Sequence, residues 1–203
     1  MIAPIMATSR RKEQSHERIV DAAARAIRRG GYAGVGVADI MKEAGLTHGG
    51  FYAHFPSRDA LLAAAMERAG QDGAERLNQA MARRRAEGAS ALRAWVESYL
   101  GPAHLAGCET GCPLAALASE IPRQSEGVRE AAAGRVERLL DTIRRLLPAS
   151  AGEHAAAAVL STLVGALQLA RALGDNDRGR AVLASARQSI LDQYDHEGPA
   201  DSH

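Results

Sequence analysis

A glycine set between two short helical patterns, at residues 37–59, constrains this chain more than any other feature. In Val37–Ala44 the apolar positions Val37, Ile40, Met41 and Ala44 share one face at helical spacing. Gly45 then supplies the residue that takes positive φ where one helix stops and the chain turns sharply. Thr47 offers a side-chain oxygen to cap the next helix. Phe51 and Phe55, four apart, fall on one face of that helix, and His48 and Tyr52, also four apart, fall on another. Two short helices, a glycine turn between them and an aromatic anchor on the second predict a helix-turn-helix. In that motif the second helix enters the DNA major groove.

The same residues carry a resemblance. Gly31-Tyr32, Asp39-Ile40, Ala44-Gly45-Leu46-Thr47, Gly49, Phe51-Tyr52, His54-Phe55 and Arg58-Asp59 make residues 15–62 similar to the N-terminal domain of the TetR/AcrR transcriptional regulators. Gly111–Glu120 and Leu163–Arg171 resemble the C-terminal half of one subgroup of that family. Gly36 stands where the family usually has a capping Thr or Ser, Met41 where it has Ala, and Gly50 where it has a small residue with a Cβ. The resemblance implies an all-α fold of about nine helices: a three-helix head carrying the helix-turn-helix, then a helical domain for effector binding and dimerisation. It also implies a homodimer on double-stranded operator DNA, a small-molecule effector and no cofactor.

Composition agrees with an all-helical chain. Of 203 residues 46% are hydrophobic but only 3% aromatic, and no run of alternating β-branched residues is long enough for a strand. The net charge of +1 is unevenly spread. Residues 1–60 hold nine Arg/Lys against six Asp/Glu, and the remainder holds sixteen against eighteen. A basic N-terminal end suits phosphate binding. Met1–Ala7 is too short for the apolar region of a secretion signal, and the uncharged run Ala155–Ala170 is short of a membrane span. Two cysteines make no disulfide framework, so a cytoplasmic location without membrane partners is expected.

Along the chain, residues 1–12 are expected as a flexible basic arm, 13–60 as the helix-turn-helix domain, 61–195 as the effector-binding and dimerisation domain and 196–203 as a tail. The first helix is expected from about Ser15 to Arg29, ended by Gly30-Gly31. Ser57 caps a long helix running to about Arg85. Further helices are expected at Ser90–Leu100, Pro113–Ile121, Glu126–Leu147, Gly152–Leu173 and Arg178–Tyr194.

Thr47, His48, Gly49, Gly50, Tyr52, His54 and Arg58 are the residues expected against DNA. The hydroxyls and Arg58 donate to phosphates, and His48 projects toward base edges. Gly49 is read as a point of close backbone approach to the duplex; at Gly50 a tolerated helix defect stands equally open. Phe51 and Phe55 are read as core.

Trp95 and Tyr99, with Met66, Met81 and Leu117, are read either as core or as the lining of an effector pocket. The small residues Ala156, Ser161, Gly165, Ala166 and Ala170 permit close helix approach. With Leu163, Leu167, Leu183, Ala186, Ile190 and Tyr194 they resemble the family's two-helix dimer face, the alternative being an internal core. His104, Cys108 and Cys112 fall at i, i+4 and i+8, which on an unbroken helix would align a metal or thiol sensor. Gly107, Gly111 and Pro113 argue against that continuity. No phosphate loop, nucleophile elbow or His-Glu-x-x-His zinc motif is present, so an enzyme is not expected. The leading reading is a ligand-responsive repressor, with a thiol- or metal-responsive regulator as the alternative.

Overall fold

Apolar residues at three- and four-residue spacing, punctuated by Gly, Pro and capping side chains, give a chain built of helices alone. The computed structural model describes residues 3–195, with side chains from Arg10 onward. Among these residues there are nine α-helices and two 3₁₀-helical turns, in the order α1 (Ala3–Gly30), α2 (Val37–Glu43), a 3₁₀ turn (His48–Ala53), α3 (Arg58–Ala86), α4 (Ala91–Tyr99), α5 (Pro102–Ala106), α6 (Pro113–Leu117), a second 3₁₀ turn (Ile121–Arg123), α7 (Glu126–Leu146), α8 (Ala155–Leu173) and α9 (Asp177–Tyr194). The all-α expectation holds. Residues 196–203, expected as a tail, lie outside the described residues.

Four boundaries differ from expectation for physical reasons. Residues 3–12, expected as an arm, are helical. Pro4 sits in the first turn, where its missing N–H costs nothing, and the Met, Ala, Arg, Lys, Glu and Gln that follow favour helix. The second helix of the helix-turn-helix is a 3₁₀ turn, consistent with two adjacent glycines, each of which weakens an α-helix by about 1 kcal/mol relative to alanine. Gly101-Pro102, expected as a stop, also starts α5, with Pro102 in its first turn. Finally, α6 ends at Leu117 before the second 3₁₀ turn.

Other local signals act as read. Gly31 and Gly45 take φ of +73° and +69° where α1 and α2 end. Ser57 Oγ accepts from the Ala60 N–H at 3.1 Å, Ser90 Oγ from Arg93 N–H at 3.0 Å, and Asn176 Oδ1 from the Arg178 and Gly179 N–H groups.

Among the described residues the chain divides into two units: residues up to 72 with 109–134, and residues 73–108 with those from 135 onward. In the first, α1 packs on α2 and α6. Its core holds Ile19, Ala23, Ile27, Tyr32, Ile40, Met41, Phe51, Phe55, Leu61, Leu62 and Met66. Arg28, buried, ties three segments together: it donates to the carbonyls of Ala69 (3.1 Å) and Gly111 (3.4 Å) and pairs with Asp72 at 3.2 Å. In the second, α8 packs on α9 and α5, and α4 on α9, where Asp195 takes a hydrogen bond from Ser90 and an ion pair from Arg93 (2.8 Å). Helix α8 has the length and composition to cross a membrane. Its Val159, Leu160, Leu163, Ala166, Leu167 and Ala170 are nevertheless buried in this unit, as in a core helix.

Candidate nucleic-acid interface

The helix-turn-helix stands on an aromatic anchor. Phe51 and Phe55 are buried, their ring centroids 5.9 Å apart and nearly parallel, and the His16 ring of α1 stacks on Phe55 at 4.6 Å. Two ion pairs clamp α2 to α1: Glu43 accepts from Arg25 (3.2 Å) and Arg29 (3.1 Å). With Phe51 and Phe55 turned inward, the other side of the turn faces solvent. Thr47, His48 and Gly49 are exposed, and Tyr52 is 75% exposed, its ring edge-on to Phe51.

Within this face the residues expected against DNA separate. Thr47, His48, Gly49 and Tyr52 lie together on open surface. Thr47 precedes a 3₁₀ turn and makes no side-chain cap, contrary to expectation. Nothing lies within 4 Å of where a Cβ on Gly49 would stand, whereas one on Gly50 would touch the Met41 methyl at 3.8 Å. Gly50 is half-buried against the protein.

His54 and Arg58 face inward to a degree the sequence reading did not anticipate. His54 is half-buried, its ring 6.2 Å from His16, and burial with the nearby His16 and Lys12 charges pushes its pKa below the ordinary imidazole value. Arg58 donates from Nη2 to the backbone carbonyls of Tyr32 and Val35 (3.2 Å to the latter). Its guanidinium therefore braces the α1–α2 loop through Nη2.

Sequence reasoning missed two basic residues beside this face. Arg18 of α1 is exposed, and its Nη1 is 3.8 Å from the Cβ position at Gly45, the turn of the motif. Lys12, also exposed, lies close enough to act on the His54 ring. The signal was present in the sequence as Arg10-Arg11-Lys12 and Arg18. Reading residues 1–12 as an arm separated Arg10, Arg11 and Lys12 from the motif; Arg18 was already placed in the first helix, but its approach to Gly45 is a tertiary contact with no local pattern.

Of the pocket candidates Met66 and Leu117 are buried in the first unit and Trp95 and Tyr99 in the second, whereas Met81 is half-exposed. Trp95 and Tyr99 stack at 5.4 Å, and His104 meets Tyr99 edge-on at 4.7 Å with its Nδ1 2.7 Å from the Tyr99 carbonyl. Arg171 donates to the His104 carbonyl at 2.8 Å. The helical alignment of His104, Cys108 and Cys112 does not form: α5 ends at Ala106 and α6 begins at Pro113, leaving Cys108 exposed and Cys112 buried. Among the described residues no group of three or more His, Cys, Asp or Glu side chains is placed to hold a metal ion. The thiol or metal alternative loses its geometric basis.

Burial pushes the His104 imidazole down to about 4; the Tyr99 carbonyl opposes this shift and the Arg171 charge adds to it. The unfolded chain, with its histidine near 6.5, takes up the proton first. Stability is therefore complete above about pH 6.5 and declines as pH falls toward 4, by about 3 kcal/mol across that window. Denaturant titrations at pH 7 and pH 5 should show a smaller acid loss for His104→Gln than for the wild type. Equal losses would place the acid sensitivity elsewhere.

The dimer-face candidates divide as well. Ala156, Leu163, Leu167, Leu183 and Ile190 are buried within the second unit, so they hold α8 and α9 together and are not an open face. Gly165 alone of the six is half-exposed. It continues a different stripe of α8, with Ala158, Thr162 and Leu169. Helical periodicity marks apolar faces but does not say which of two faces packs internally.

Comparison with known proteins adds the lineage of this geometry. Residues 19–65 match the family model described as bacterial regulatory proteins, tetR family, and residues 88–186 match the tetracyclin repressor-like C-terminal domain. An uncharacterized HTH-type transcriptional regulator of Mycobacterium tuberculosis is 31% identical over 170 residues, covering 78% of this chain and 85% of that protein. A TetR transcriptional regulator from Chloroflexus aurantiacus aligns with TM-score 0.72 at 25% identity, over 90% of this chain and 95% of the other. A TetR-family regulator from Agrobacterium tumefaciens shares the fold, with TM-score 0.69 at 24% identity over 90% and 98% of the two chains.

Proposed function

The chain belongs to the TetR family of bacterial transcriptional regulators, and from that membership we propose a homodimeric, cytoplasmic repressor that leaves a near-palindromic operator when a small-molecule effector binds. As a member of the family it is a DNA-binding regulator of transcription. Residues 61–195 would hold the effector and the dimer contact. The observation that carries the DNA end of this reading is the exposed face of Thr47, His48, Gly49 and Tyr52, backed by the buried Phe51 and Phe55 and flanked by Arg18.

In this reading His48 meets base edges, the open space over Gly49 admits the sugar-phosphate backbone, and Thr47, Tyr52 and Arg18 donate to phosphates. Two copies of the same turn read two half-sites, so operator symmetry follows the symmetry of the dimer. The dimer face is assigned to the exposed stripe Ala158, Thr162, Gly165 and Leu169 of α8, where small side chains allow close approach and Leu169 is 61% exposed. Trp95 and Tyr99, which His104 meets edge-on, and Met81 are the pocket candidates in the second unit, Met66 and Leu117 those in the first.

The test begins with duplexes selected by the wild-type protein from a random pool, then titrated over a salt series. Each neutralised phosphate contributes about −0.9 to the slope of log K against log[salt]. Arg18→Ala, removing one contact per subunit, should make the slope shallower by roughly 1–2. His48→Ala should cost about 1–3 kcal/mol at one operator position and leave the slope nearly unchanged. Arg58→Ala should lower thermal stability through the loss of two carbonyl hydrogen bonds. If Arg58→Ala flattened the slope and Arg18→Ala did not, the roles assigned to these two arginines would be reversed.

A further inference from the structure

Glu120 lies far from the helix-turn-helix in sequence, yet its carboxylate holds the loop from which that motif starts. The Tyr32 N–H donates to Glu120 Oε2 at 2.9 Å. Beside it, Gly31 at φ +73° leaves room for the carboxylate: a Cβ there would stand 2.5 Å from Oε1 and 2.9 Å from Oε2. The next carbonyl along, that of Tyr32, accepts from Arg58, which also binds the Val35 carbonyl. Tyr32 is thus gripped at its N–H by Glu120 and at its C=O by Arg58, with its ring buried. Two more contacts join the segment bearing Glu120 to α1, namely Arg28 to the Gly111 carbonyl (3.4 Å) and Arg29 to Glu109 (3.5 Å). All of these residues lie in the first unit, although residues 109–134 follow the head by some fifty positions and fall within the span matched by the C-terminal family model.

We propose that Glu120 is a positioning residue for DNA reading: its carboxylate fixes the Gly31-Tyr32 turn, and through it the angle at which α2 and the His48–Ala53 turn leave α1. A charge-assisted hydrogen bond to a backbone N–H is stronger than a neutral one and holds direction as well as distance. The loop has only residues 31–36 in which to set the course of α2, so a peptide released at Tyr32 rotates everything after it. A shift of residues 109–134 would act on the head through this carboxylate. The inference rests on the DNA-binding reading for its consequence and on the Tyr32 contact for its substance.

The experiment uses full-length wild type, Glu120→Ala and Glu120→Gln, with a duplex selected by the wild type and a scrambled duplex of equal length. Amide hydrogen exchange at Tyr32 is followed by NMR in parallel. Glu120→Ala should bind the selected duplex about tenfold more weakly or worse, bind the scrambled duplex as the wild type does, and exchange the Tyr32 amide faster. Glu120→Gln, which keeps an acceptor oxygen, should recover most of the loss and of the protection. Wild-type affinity for the selected duplex in Glu120→Ala, or equal loss on both duplexes, would overturn the proposal. So would an unprotected Tyr32 amide in the wild type. Should Glu120→Ala fail to fold, Glu120→Gln decides: a protected Tyr32 amide and near-wild-type specificity support the clamp, and loss of both overturns it. The amide readout needs no DNA, so a wild type that selected no duplex would refute the operator reading while the contact itself was still decided.

Discussion

Phe55→Ala should destabilise the DNA-binding head by about 3–5 kcal/mol, the usual cost of truncating a buried aromatic side chain. Phe55 is 4% exposed and packed between Phe51 and the His16 ring, so its removal leaves a cavity between α1 and the turn. Against a domain stability of about 5–15 kcal/mol this is a large fraction. Tyr52→Ala should behave oppositely. Its side chain stands in solvent apart from one edge-on contact to Phe51, so stability should change by no more than about 0.5 kcal/mol. Its loss should appear in operator affinity instead. Thermal melts and duplex titrations of the two variants separate anchor from contact, and comparable destabilisation by both would show the two faces of the turn to be misassigned.

That contrast was legible in the sequence, though not through the four-residue spacing, which belongs to an α-helix: His48–Ala53 is a 3₁₀ turn, in which residues three apart share a face, and Phe55 lies beyond it. Two phenylalanines beside a tight turn have only one core to enter. Gly45 was legible for a similar reason: a stop, a turn and a cap leave few backbone solutions. Arg58 was not. Its place in the family-like motif suggested a donor to DNA, and only the folded loop shows the carbonyls of Tyr32 and Val35 turned toward it. Glu120 was beyond reach for the same reason, since a contact across 88 residues leaves no local pattern. The start of α1 was misjudged because a charged, amphipathic stretch without breakers reads equally as arm or helix. Placing it in a helix puts Lys12 on the same rigid element as Arg18, beside the motif. In the second unit the sequence marked α8 and α9 as apolar and rich in small residues, but α8 buries one face within the unit and leaves another, at Ala158, Thr162 and Leu169, exposed. Composition does not distinguish them.

The two faces of α8 give the sharpest test. Leu163→Asp places a carboxylate where the side chain is wholly buried between helices of the same chain. Losing the leucine and burying an unpaired charge should together cost at least about 4 kcal/mol, enough to unfold much of the second unit. Leu169→Asp, six residues on, replaces an exposed side chain and should leave the monomer's melting within about 0.5 kcal/mol of its own fold. If Leu169 lies at the dimer contact, two carboxylates are brought together in that variant, one from each copy, and the dimer should dissociate at micromolar concentration with the chain still folded. Light scattering after size exclusion reads the mass, and circular dichroism reads the fold. A monomeric wild type would end the dimer proposal. A Leu169→Asp protein that stayed dimeric would move the contact off this stripe of α8. If each copy binds one half-site, the folded monomer should also lose operator affinity by far more than the single substitution could cost at the DNA surface, since the second half-site no longer binds at the high effective concentration that a dimer supplies.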